Sequence, residues 1–92
     1  MKKFEVITRP SGIVLISSDK TIFIITQSDN SVNIVTDANV QCATLDDIGA
    51  AGFVNVQCYD PKKSFIHCKK NDFFTIEKFI DVIKFIFEKY EL

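Results

Sequence analysis

No stretch of this chain is apolar for the about 20 residues that a membrane-spanning helix needs. Even in its most apolar segment, residues 75–92, a charge recurs every three or four positions. The start of the chain, Met1-Lys2-Lys3-Phe4, is basic, but Glu5 and Arg9 interrupt any apolar run of signal-peptide length. These two absences point to a cytoplasmic protein with no membrane partner. Cysteine is sparse and unpatterned. Cys42, Cys58 and Cys68 are odd in number and form no C-x-x-C pair, which fits free thiols in a reducing compartment and not a disulfide framework. An excess of one charge is lacking as well. Eleven basic residues face 12 acidic ones, so a net charge of −1 exerts no overall pull toward nucleic acid or anionic lipid. Repeats, low-complexity segments and linkers are absent, and 92 residues make a single domain, 1–92.

What is present is a core. An apolar share of 47% with nine phenylalanines excludes disorder. Ten lysines stand against the single Arg9, and with many Ile and Phe this is the bias of an AT-rich genome, such as a bacterial, phage or mobile-element source. Acids gather in residues 17–61, where six of them meet Lys20 alone. Most fall at turns or at a helix start, where Asp is favoured locally.

The segment from Thr75 to Leu92 organises the chain. Thr75 is a good N-cap, Phe74 and Phe79 have hydrophobic-staple spacing, and Glu77 and Lys89 complement the helix dipole. Asp72 is an alternative cap. At 100° per residue, Ile76, Phe79, Ile80, Val82, Ile83, Ile86, Phe87 and Tyr90 share one broad stripe. That stripe is too wide for a coiled-coil seam and suits a helix lying on a sheet. Phe85 breaks the pattern, standing on the charged face among Lys78, Asp81, Glu88 and Lys89. A lone exposed Phe is ordinary. An aromatic anchor inside a charged rim is also how an interface hot spot is built.

Strands are expected at 4–8, 13–16, 21–26, 32–36, 53–59 and 64–68, each bounded by turn residues such as Pro10-Ser11-Gly12 and Ser28-Asp29-Asn30. Thr44-Leu45-Asp46-Asp47 has capping-box form and predicts a short helix over 45–51, ended by Gly52. Alternation places Val54, Val56 and Cys58 on one face, with Phe65 and His67 set against them. The fold class that follows is α+β. An antiparallel sheet of about six short strands, a meander plus a hairpin, carries one short helix and a long C-terminal helix on one face. Ile13 to Ile16 and Ile22 to Ile25 are continuously apolar, so both faces of those strands want burial. Two helices cover one face. The other needs either a curled sheet or a second copy, which predicts a homodimer.

Chemistry-bearing residues are few. Cys58 and His67 could meet on one strand face, with Cys42 or the acidic loop 37–47 nearby, but a zinc site needs three or four ligands. Core filling explains these residues better, so no cofactor and no metal are expected. As a Cys–His nucleophile pair they lack a fixed orienting group. No carboxylate pair sits where burial would raise a pKa for acid catalysis. Gly49-Ala50-Ala51-Gly52 lacks the lysine of a phosphate loop. Lys62, Lys63, Lys69 and Lys70, with Tyr59, Phe73 and Phe74, mark the two ends of a hairpin about 20 Å long, and nucleic acid is not the expected partner. The sequence therefore points to a non-enzymatic protein-binding module of inhibitor, immunity or regulatory type, self-associating or bound to a larger partner. The alternative is a small enzyme or ligand-binding subunit using Cys58, His67 and the acidic loop.

Overall fold

The computed structural model describes residues 4–36, 41–60 and 65–92, with the side chains of 41–43 and 58–60 excepted. Each turn in the first half is built by its own residues. After β1 (Glu5–Thr8), the Gly12 amide donates to Arg9 O at 2.9 Å, and Gly12 takes φ 87°, a left-handed value that a Cβ would disfavour. After β2 (Val14–Ser17), Ser18 N donates to Thr21 O; after β3 (Ile22–Gln27), Ser28 N donates to Ser31 O, both at 2.9 Å. These tight turns make β1, β2, β3 and β4 (Ser31–Thr36) an antiparallel meander. The chain then passes through α1 (Gln41–Ala50) to β5 (Val54–Asp60) and β6 (Phe65–Lys70). Because β6 pairs with β4, the sheet order is β1-β2-β3-β4-β6-β5.

Period-2 alternation then sorts the side chains. Val14, Ile16, Phe23, Ile25, Val32, Ile34, Ile66, Cys68 and Val54 point toward the helices and are at most 3% exposed. Helix α2 (Ile76–Lys89) covers them with Phe79, Ile83, Ile86 and Phe87, and α1 adds Ile48. Thr75 caps α2 by accepting from Lys78 N at 3.2 Å, so Asp72 is not the cap. The staple is present: the Phe74 and Phe79 rings stand 5.8 Å apart, and both meet Phe53 beside β5. At the other end Phe87 meets Phe23 of β3 and Phe4 beside β1. The helix therefore crosses the sheet from the β5 edge toward the β1 edge. It ends in a Schellman turn, with Leu92 N donating to Phe87 O, Glu91 N to Glu88 O, and Glu91 at φ 53°. Ser18 Oγ ties this end down by donating to Leu92 O at 2.7 Å.

The α+β sheet-and-two-helix arrangement is the expected one, with two local departures. Helix α1 begins at Gln41, not at 45, so Thr44 is no cap but a fully buried residue one turn below Ile48. A Thr followed by Leu45 and Ile48 at helical spacing extends the apolar face backward, and that burial outweighs the capping preference. Gly52, at φ 81°, follows the helix as expected. The register of β5 shifts at a bulge between Val56 and Cys58. Val54 and Val56 thus oppose Lys70 and Cys68, while Cys58 opposes His67 on the other side of the sheet. The single face proposed for Val54, Val56 and Cys58, with Phe65 and His67 opposite, is split by that one extra residue. Among the described residues the sheet does not close on itself. It ends at β1 and β5, which do not pair, and its second face carries no helix among the described residues.

Candidate interaction surfaces

Two surfaces are left uncovered by this packing. The first is the outer face of α2. Phe85 is 52% exposed there, and Lys78, Asp81, Glu88 and Lys89 are exposed around it, as the helical spacing predicts. Lys89 is not a free rim charge. Its Nζ bonds Asp47 Oδ1 of α1 at 3.1 Å and lies 5.6 Å from the Phe85 ring centre and 5.1 Å from that of Tyr90. The bond to Asp47, and next the Tyr90 side chain, hold its ammonium above the usual lysine range. Asp47 Oδ2 on the same carboxylate is buried and has no hydrogen-bond partner among the described residues. Lys89 thus links the two helices and shelves one edge of the Phe85 ring.

Sequence reasoning passed over a second aromatic on this side. Phe73 is 72% exposed, more than any other large apolar residue described. The signal was available: Phe74 is the staple residue, so its neighbour Phe73 must point elsewhere. Phe73 joins Lys78, Asp81 and Val82 of α2 with Ala51, Gly52 and Phe53 in an open groove of about 590 Å³. Lys78 Nζ bonds Phe73 O at 3.4 Å. Two of the five residues expected to bind a partner, Lys78 and Asp81, therefore line a groove, and Phe85 stands one turn beyond Asp81.

The second surface is the uncovered sheet face. Strand register lines up Ile7, Leu15, Ile24, Val35 and Phe65 as successive cross-strand partners on β1, β2, β3, β4 and β6. They form one apolar row across five strands. Ile7 and Val35 are 40% and 39% exposed, while Leu15, Ile24 and Phe65 are half-buried. Ile22, at 42%, extends the patch beside Ser17 and Glu5. On the other side of the row run Thr26, Asn33, His67 and Cys58. His67 Nδ1 donates to Asn33 Oδ1 at 2.6 Å, which gives a half-buried imidazole a neutral partner.

Among the remaining chemistry-bearing residues, the described side chains do not converge. Cys58 and His67 are register partners, but the side chain of Cys58 lies outside the described residues, as does that of Cys42. Cys68 is buried on the opposite face of β6. Of the acidic loop 37–47, residues 37–40 are outside the described residues and the remainder is helix α1, with Asp46 exposed and Asp47 bound to Lys89. No group of three or more metal-ligating side chains occurs among the described residues. Lys70 is held by Gln27 Oε1 and Ser28 O, with its Nζ over the Phe74 ring, whereas Lys62 and Lys63 are outside the described residues. Among the described residues, no helix is long and apolar enough to cross a membrane. Compared with protein-family models, with curated proteins and with solved structures, the chain matches none.

Proposed function

We propose that this chain is a protein-binding module of inhibitor, immunity or regulatory type, and that it meets its partner through the outer face of α2. One observation carries the reading: two large aromatics, Phe73 and Phe85, stand exposed at either end of a mixed-charge groove edge while every other Phe on α2 is buried. A solvent-facing Phe on an otherwise charged helix face stabilises the fold little. In a desolvated contact the same ring is a typical anchor. Two lysines, Lys78 and Lys89, and two acids, Asp81 and Glu88, stand around Phe85, so the matching surface is an apolar hollow with a mixed polar rim, not a polyanion.

The test is comparative capture. Wild-type protein and its Phe85→Ala and Phe73→Ala variants are immobilised in equal, folded amounts and exposed to the same source lysate. The reading expects a defined protein retained by the wild type and lost from both variants. A protein retained equally by all three would place the contact elsewhere.

A further inference from the structure

We propose that the uncovered face of the sheet binds a second copy of this chain, the two sheets stacking face to face with apolar row over apolar row. The row Ile7-Leu15-Ile24-Val35-Phe65 runs straight across the strands at matched register. That geometry is self-complementary. A twofold axis lying between the sheets, whether along the row or along the strands, lays the row on its own copy with Ile24 against Ile24 near the axis. Stacked sheets pack about 10 Å apart with strands within about 30° of each other, a spacing that aliphatic and Phe side chains fill.

The size fits as well. Six strands at about 4.8 Å spacing and four to seven residues of about 3.3 Å each give roughly 500 Å² of flat sheet. Side-chain relief brings this toward the about 800 Å² per partner of a standard interface. The broad dimensions of the molecule, 33 × 29 Å, match a face of that span. Self-stacking brings few like charges together, because the strand residues that register places on this face carry two acids, Glu5 on β1 and Asp60 on β5, and one lysine, Lys69. The polar residues flanking the row, Ser17, Thr26 and Asn33, are small enough to sit at a sheet–sheet margin. Asn33 and His67 already satisfy each other across the ladder. The pairing also explains why the runs at 13–16 and 22–25 are apolar at every position although the helices use only alternate residues. In such a dimer both α2 outer faces point away from the contact, so the two surfaces act independently and each dimer presents two partner-binding faces.

The experiment is sedimentation equilibrium of the full chain over a micromolar dilution series, with Ile24→Lys, Val35→Lys and Phe85→Ala alongside. The wild type is expected at twice the 10.5 kDa chain mass. Ile24→Lys places like charges opposite each other, Val35→Lys buries a charge against the apolar row, and either should raise the dimer dissociation constant at least about 100-fold. Phe85→Ala should leave it unchanged. A wild type that stays monomeric throughout the series overturns the proposal, and so does a dimer that both lysine variants leave intact or that Phe85→Ala dissolves. Isotope-filtered contacts in a mixed labelled and unlabelled wild-type sample decide the case even if the variants misfold. Contacts at Ile24 and Val35 support the stacked dimer; contacts confined to α2 refute it.

Discussion

Replacing Ile83 by Ala tests whether α2 secures the core. Ile83 is fully buried at the centre of the helix, on the side facing the sheet and between the equally buried Phe79 and Phe87. The change removes three carbons, worth about 2.4 kcal/mol at about 0.8 kcal/mol per buried methylene. A cavity term adds to this, because the space cannot collapse freely. The helix is fixed at its start by the Thr75 cap and the Phe53–Phe74–Phe79 cluster, and at its end by the Ser18–Leu92 bond. Ala is the better helix former by a few tenths of a kcal/mol, which offsets little. The expected loss is about 2–5 kcal/mol, the range for truncating a well-buried aliphatic residue. Urea unfolding at one fixed protein concentration reads it as a lower midpoint with an unchanged slope. A loss below about 0.5 kcal/mol, a surface value, would refute the packing of α2 described here.

Three further outcomes follow from local structure. Thr75→Ala should cost about 1 kcal/mol in the same assay, since Lys78 N loses its side-chain acceptor. Glu91→Gly should stabilise by roughly 0.5–1 kcal/mol, because Glu91 holds a left-handed φ of 53° in the Schellman turn and glycine does so without strain; a measured loss would mean that the turn is not formed. Thiol titration under non-reducing conditions should find three free cysteines after unfolding, with Cys68 protected in the native state, and elemental analysis should find no stoichiometric zinc.

The elements that could be read from the sequence were those whose signals are local and mutually consistent. For α2, cap, staple, stripe and charge placement all name the same residues, and Phe85 stood out because it alone contradicts the stripe. The meander strands were legible from turn residues flanking apolar runs. Their apolar runs also announced the uncovered face, although not the row that register builds across it. Helix α1 was mistaken at its start because Thr44-Leu45-Asp46-Asp47 matches a cap locally, while burial against the sheet, a tertiary effect, put Thr44 inside the helix. The bulge at Val56/Cys58 has no residue signature in Val54-Asn55-Val56-Gln57-Cys58, and one unannounced residue moves Cys58 to the other face. The pairing of β6 with β4 joins residues 30 to 38 positions apart, and neither strand's own pattern selects that neighbour. Phe73 was weighed only beside the hairpin lysines, although assigning Phe74 to the staple already turned Phe73 away from the core.

Phe85 offers the most direct measurement of the functional reading: thermal unfolding of Phe85→Ala, paired with calorimetric binding of the captured partner to wild type and variant. Half of the Phe85 surface is already in water, so its loss should change stability by no more than about 0.5 kcal/mol. The same substitution should weaken partner binding by at least about 2 kcal/mol, as truncation of an interface anchor does. A stability loss of about 3–5 kcal/mol would show Phe85 to be a core residue. Unchanged affinity with unchanged stability would contradict the assignment of this face as the partner-binding surface.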